Sequence, residues 1–188
     1  CYSFGFFNIR CALNFDRFKE EMKTPVGASV SGTYSMAVML LAGYLKPFAG
    51  EAALYIWYLG IIMHIALIIY FTLKFVIKLK LAQVFSSWYI VYVGIVVASL
   101  TAPVFEAKSL GNIFFYFGLI TFGLLLILVT ARYIKLKDIP PMAKPLICIS
   151  TAPASLLIAW YIQSVEPKSH TFLLALWTLA TVLYVFSL

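Results

Sequence analysis

His64 is the one His, Asp, Glu, Lys or Arg side chain that lies deep inside an apolar stretch of this sequence. All other charged residues fall in six short clusters, and the long windows between the clusters contain no Asp or Glu. Membrane hydrolases need a base or metal ligands, and cation pathways use carboxylates within the membrane. The sequence also lacks zinc-protease, paired-aspartate and phosphate-loop motifs. We therefore expect no enzyme activity, no cofactor and no metal site.

His64 has two interpretations. An ionisable residue within a membrane span is a candidate for function by default, here as a proton carrier. However, it lies in the bulky segment 60–71. We favour a neutral imidazole that is hydrogen-bonded to a neighbouring helix.

The charge-free windows have the length of membrane-spanning helices. They contain 22, 22, 25, 23, 21 and 20 residues, and about 20 helical residues cross a hydrocarbon core of about 30 Å. Runs such as 60–71 lack the alternating polarity of a β-barrel. The sequence therefore predicts an all-α, polytopic integral membrane protein in a lipid bilayer. Residues 1–188 would form a single transmembrane domain with spans at about 1–9 (partial), 24–45, 52–73, 81–105, 109–131, 145–165 and 169–188.

The basic residues predict the orientation of these spans. Along the chain the six clusters hold 4, 1, 3, 1, 4 and 1 Lys or Arg, which is the alternation that the positive-inside rule gives for short loops. With the rich clusters in the cytoplasm, spans 24–45, 81–105 and 145–165 run outward. The net charge of +7 is divided among loops and forms no continuous basic face, so we expect no nucleic acid partner. A cytoplasmic (plasma) membrane location fits this orientation.

The outward and inward spans differ in residue type. Spans 24–45, 81–105 and 145–165 are rich in Gly, Ala, Ser, Thr and Pro and are called the small-residue spans; spans 52–73, 109–131 and 169–188 are called the bulky spans. The Glu-x-Lys loops at 106–108 and 166–168 recur after 60 residues. This period predicts tandem helical hairpins, with an inner ring of pore-lining small-residue spans and an outer ring of lipid-facing bulky spans.

Several small or hydroxyl residues are candidates for lining a pore. Small residues let helices approach closely and also leave room for a lumen, so tight packing without a pore remains an alternative. Pro153 frees a backbone carbonyl near hydroxyl groups, and a tolerated kink remains as well supported as a pore role. The predicted lining residues are Ser31, Ser35, Gly94, Ser99, Thr151, Pro153 and Ser155.

Four ordered segments resemble a known family. They are 24–42 (TPVGAS leading into YSMAVMLLA), 87–96 (SWYIVYVGIV), 110–118 (LGNIFFYFG) and 152–155 (APAS). Together they are similar to the tellurite-resistance/dicarboxylate transporter family, which includes malate permeases, sulfite exporters and slow anion channels. The resemblance extends over nearly the whole chain.

The resemblance implies ten spans in five tandem hairpins, with the odd spans around a central pore, and commonly a homotrimer. On that alignment the chain begins at the end of span two and stops after span eight. It begins with Cys1 rather than Met, and its last window reaches the final residue, so we expect a fragment. The pore-occluding Phe that family members carry on span nine has no counterpart in these residues.

Taken together, the residues and the resemblance predict a transmembrane anion channel or transporter. Hydroxyls, helix dipoles and basic cytoplasmic loops favour an anion or a neutral solute over a cation. The resemblance specifies C4-dicarboxylates such as malate, or small oxyanions such as tellurite and sulfite. Two alternatives remain: a proton-coupled dicarboxylate uptake carrier that uses His64, and a non-transporting helical membrane scaffold.

Overall fold

The structure is a computed structural model that describes residues 19–77, 79–136, 141–164 and 169–187. The predicted partial span at 1–9 lies outside the described residues. Within these ranges every regular element is helical, which confirms the all-α prediction. The α-helices are α1 Pro25–Val30, α2 Gly32–Ala49, α3 Glu51–Phe71, α4 Trp88–Tyr92, α5 Val96–Thr101, α6 Lys108–Lys135, α7 Ala152–Ser164 and α8 His170–Ser187. Shorter helical turns are the π-helix Thr72–Val76 and the 3₁₀ segments Leu81–Gln83, Ala102–Phe105 and Pro141–Ser150.

Four helical segments are long and apolar enough to cross a membrane, namely Pro25–Ala49, Glu51–Val76, Lys108–Lys135 and Leu146–Gln163. They coincide with four of the predicted windows. Two shorter apolar helices, Val96–Phe105 and His170–Val185, lie in the remaining two. The chain is therefore an integral membrane protein by the length and composition of its helices.

Local sequence explains where the first hairpin begins and turns. Thr24 accepts a hydrogen bond from the Gly27 amide at its Oγ1 (3.1 Å), and Pro25 occupies the first position of α1, where its missing N–H costs nothing. Between α2 and α3 the chain reverses at Gly50, whose φ is +54°. That backbone conformation favours glycine because a Cβ would be strained there.

The second small-residue span is not one continuous helix, in contrast to the single span predicted for 81–105. Helices α4 and α5 are separated by a break at Val93–Ile95. At Gly94 a Cβ would overlap the Ile90 carbonyl oxygen, and it would lie 2.9 Å from the Met36 Sδ. Glycine, which lacks a Cβ, permits these close contacts at the break.

Packing places the second small-residue span at the centre of the described helices. The strongest contacts join the hairpin partners α2 with α3, α5 with α6, and α7 with α8, while α2 packs on α5 and α5 on α7. The small-residue spans thus form a continuous row. Residues 84–89 and 93–99 are all buried, so the second small-residue span lies in the core. The bulky helices expose aliphatic and aromatic side chains, among them Ile62, Ile69, Ile120, Ile127, Leu174 and Val182.

Candidate functional site

Most buried polar side chains of the described residues lie at three successive positions along the small-residue spans. The first is a cluster of hydroxyl groups at the start of these spans, the second is the helix break at Val93–Ile95, and the third is a Trp–Thr contact beyond the break. Since a buried polar group is costly unless it is hydrogen-bonded, each position reflects a specific arrangement of partners.

The hydroxyl cluster joins all three small-residue spans. Ser29 Oγ lies 2.7 Å from Ser87 Oγ, and Ser150 Oγ donates to Ser86 Oγ over 3.0 Å. Tyr133 of α6 adds its phenolic oxygen at 3.0 Å from Ser86 Oγ. The four serines are 0 to 4% exposed. By the predicted orientation this hydroxyl cluster lies toward the cytoplasmic side.

A buried positive charge lies beside the hydroxyl cluster. Arg132, in the last turn of α6, is only 2% exposed. Its guanidinium lies 5.2 Å from the ring centres of both Phe85 and Tyr133, which is the range of cation–π attraction. One nitrogen, Nη1, donates to the carbonyl oxygen of Leu136 over 3.0 Å. The side chain is therefore held against two aromatic rings, of which Tyr133 belongs to the hydroxyl cluster and Phe85 precedes Ser86 in the chain.

The helix break changes the pattern of backbone hydrogen bonds. Val93 and Gly94 both donate to the Tyr89 carbonyl, over 2.9 and 3.2 Å. Beyond the break, residues 96, 97 and 98 each donate three residues back rather than four. The α-helical ladder is therefore interrupted, and carbonyl groups at the end of α4 need other donors.

His64 of α3 contacts this break. Its Nε2 lies 3.0 Å from the carbonyl oxygen of Val91, and its Nδ1 lies 2.7 Å from Ser35 Oγ. The ring is fully buried. These contacts confirm the expected hydrogen bonds to neighbouring helices, and they join a bulky span to two small-residue spans.

The third position is formed by Trp57 and Thr101. The indole Nε1 of Trp57 donates to Thr101 Oγ1 over 2.7 Å. The indole also stacks on Phe105, with ring centres 4.9 Å apart. Helix α3 therefore holds the second small-residue span both at the break and near its end.

Four of the predicted lining residues border two separate grooves. Ser31 and Ser35 line a groove of about 280 Å³ with residues of α3. Thr151 and Ser155 line a groove of about 470 Å³ between α7 and α8. Each groove lies between the two helices of a hairpin, so the structure brings these residues together in pairs and not around one common cavity.

The other three predicted residues are enclosed by protein. Gly94 lies in the break, Pro153 is buried at the start of α7, and Ser99 is 0% exposed. Ser99 Oγ and Thr151 Oγ1 are buried without a hydrogen-bond partner among the described residues. A pore-lining role for the seven residues stays a prediction.

Sequence reasoning did not single out the hydroxyl cluster or Arg132. The available signal was position: Ser29, Ser86 and Ser150 each lie near the start of a small-residue span, and Arg132 follows a charge-free window directly. Within the described part of the chain, no three His, Cys, Asp or Glu side chains come together as a metal site.

Comparison with known proteins gives one family. The family model described as "SLAC1: Voltage-dependent anion channel" matches residues 2–188. A search of curated proteins gives no match. The matched range is nearly the whole chain, and it confirms the resemblance that the four ordered segments indicate.

Proposed function

Because the chain belongs to the SLAC1 family of voltage-dependent anion channels, we propose that it forms part of a transmembrane pathway for C4-dicarboxylates such as malate, or for small oxyanions such as tellurite and sulfite. The family consists of channels and transporters rather than enzymes, so anion movement across the membrane is the activity to test. The choice of anion is our proposal.

The hydroxyl cluster with Arg132 is the observation that carries the proposal. Hydroxyl groups and a guanidinium donate hydrogen bonds, and a positive charge at low dielectric attracts anions strongly. The predicted windows contain no Asp or Glu that would attract cations instead. A passing carboxylate or oxyanion would therefore meet donors from all three small-residue spans.

The remaining parts of the proposal concern the pathway and the assembly. Ser31, Ser35, Gly94, Ser99, Thr151, Pro153 and Ser155 would line the pathway along the small-residue spans. The exposed aliphatic faces of α3, α6 and α8 would meet lipid, since Leu and Ile side chains are favourable in hydrocarbon. We further propose that residues 1–188 belong to one transmembrane domain, in a homotrimer at the plasma membrane.

Anion replacement in a reconstituted system tests this function. The complete protein would be placed in liposomes, and uptake of labelled malate, sulfite, tellurite and chloride would be compared with uptake of potassium. We expect at least one of the four anions to enter faster than potassium and faster than into protein-free liposomes. Uptake of potassium without any of these anions would contradict the proposal.

Ser86→Ala gives a variant for the same experiment, and Thr178→Ala gives a matched control. Ser86 contacts Ser150 and Tyr133 in the hydroxyl cluster, whereas Thr178 is an exposed hydroxyl of α8 that donates to the Ala175 carbonyl of its own helix. We expect slower anion uptake for Ser86→Ala alone. Equal anion uptake by both variants would show that the hydroxyl cluster does not contribute to transport.

A further inference from the structure

The carbonyl of Val91 has a side-chain donor where a helix would supply a backbone one. In an α-helix it would accept from the amide of Ile95, four residues later. The break interrupts that ladder, and His64 Nε2 approaches the Val91 oxygen at 3.0 Å. A residue of a bulky span thus satisfies a backbone group that the second small-residue span cannot satisfy alone.

The chemistry of the partners fixes the direction of the hydrogen bonds. A carbonyl oxygen only accepts, so Nε2 of His64 carries a hydrogen. In the neutral imidazole Nδ1 is then the acceptor, and it shares the hydroxyl proton of Ser35, 2.7 Å away, with the Gly32 carbonyl oxygen, which lies 2.9 Å from the same Oγ. The imidazole therefore links α2 to α4 by one donated and one accepted hydrogen bond.

One glycine makes room for the imidazole, and a second lies at an ordinary contact distance from it. A Cβ placed on Gly32 would lie 3.6 Å from Cε1 of His64, and a Cβ on Gly94 would lie 2.9 Å from the same atom. The glycines belong to different small-residue spans, so the ring occupies the space between two neighbouring spans. Small residues at helix contacts permit this close approach.

We propose that His64 is a positioning residue for permeation, which holds the break at Val93–Ile95 in the conformation that anions pass. This rests on the proposed function, because it concerns the rate of anion movement. Irregular backbone inside a membrane occurs where protein surrounds it or where it lines a cavity, and discontinuous spans form solute sites in many transporters. The hydrogen bond to Val91 makes the shape of the break depend on α3.

Three substitutions at position 64 separate the two hydrogen bonds. Glutamine places its amide nitrogen about where Nε2 lies, so His64→Gln keeps a donor for Val91. His64→Asn places its amide near Nδ1 and keeps only a partner for Ser35. His64→Leu keeps apolar volume and removes both bonds. Ile62→Leu, on the exposed face of α3, is the matched control.

Anion flux per folded protein is the first readout, measured on the complete protein in liposomes after size-exclusion chromatography. We expect His64→Gln and Ile62→Leu to stay near the wild-type flux, and His64→Asn and His64→Leu to fall about fivefold, the scale of one lost hydrogen bond. Equal flux in all variants would overturn the proposal. So would a His64→Gln variant that falls as far as His64→Leu.

Solid-state NMR gives a readout that does not depend on transport. With ¹⁵N-labelled His and Val labelled with ¹³C at its carbonyl, wild-type protein should show a dipolar contact between protonated Nε2 and the Val91 carbonyl. The contact should vanish in His64→Leu. If wild-type protein shows the contact but moves no anion, the proposed function fails and the positioning role in permeation falls with it. If anions move but the contact is absent, the positioning role alone fails.

Discussion

Trp57 and Thr101 are joined by a hydrogen bond of 2.7 Å from the indole Nε1 to Oγ1, between α3 and the end of α5. Both residues are buried, with exposed fractions of 0 and 7%. Thr101 in turn directs its own hydroxyl to carbonyls of α5, at 3.0 Å to Val97 and 3.2 Å to Ala98. Helix α3 therefore holds the second small-residue span at two places, here and at His64.

Thr101→Val keeps the shape of the side chain and removes the acceptor for Trp57. The buried indole N–H would lose its partner, so we expect a loss in the free energy of unfolding of about 1–3 kcal/mol. Thermal unfolding in detergent would measure it. Trp57→Phe with Thr101→Val should cost less than the sum of the single changes. Additive costs would show that the two side chains do not interact.

Alanine substitutions at Gly50 and Gly123 form a matched pair. A Cβ at either position meets no atom within 4 Å, but only Gly50 has a positive φ, +54°. We expect Gly50→Ala to destabilise the protein by about 1–3 kcal/mol through backbone strain. Gly123 lies inside α6, where alanine has a more favourable helix propensity than glycine by up to about 1 kcal/mol. We therefore expect Gly123→Ala not to destabilise the protein. Equal melting temperatures for the two variants would contradict the geometry of the α2–α3 turn.

Gly94→Ala should disturb the helix break. The added methyl would overlap the Ile90 carbonyl and press on His64 and Met36. Overfilling a packed interior costs about 1–3 kcal/mol, so we expect a lower melting temperature together with slower anion flux. The control is Gly123→Ala, whose methyl has open space. A Gly94→Ala protein with normal stability and flux would show that the break does not require glycine.

Removal of the Arg132 charge should weaken the preference for anions. We expect Arg132→Gln to lower the anion-to-cation permeability ratio by at least about threefold, because a buried charge attracts counter-ions. Arg132→Lys retains the charge and should retain most of the ratio, although it loses the planar stacking of the guanidinium. Reversal potentials in bilayers would measure both. An unchanged permeability ratio in Arg132→Gln would show that the Arg132 charge does not determine the preference for anions.

Charge spacing predicted the helical spans because a long, uncharged segment can cross hydrocarbon as a helix, in which the backbone N–H and C=O groups pair with each other. The break at Val93–Ile95 could not be predicted in the same way. It contains no proline, and a single Gly94 inside an apolar run is tolerated by many helices. Beside the break, the Val91 carbonyl is contacted by His64, which is 27 residues away in sequence, and sequence pattern does not reveal such a distant contact.

Sequence pattern located the spans but did not distinguish the residues of the hydroxyl cluster. The prediction of Ser31 and Ser35 rests on the frequency of hydroxyls in the small-residue spans, and that pattern does not show that Ser35 contacts His64 of its hairpin partner. Nearly uniform hydrophobicity around these helices gives no amphipathic face, so the direction of each hydroxyl is set by tertiary packing. For the same reason Ser29 and Ser86 were not distinguished from other serines.

The most direct test of the account is the reversal potential of the complete protein in a planar bilayer under a salt gradient. We predict a reversal potential of the sign that anion flow gives, which shifts when chloride is replaced by malate or sulfite but not when potassium is replaced by a large organic cation. A reversal potential of the opposite sign that follows the cation would contradict anion permeation through this protein.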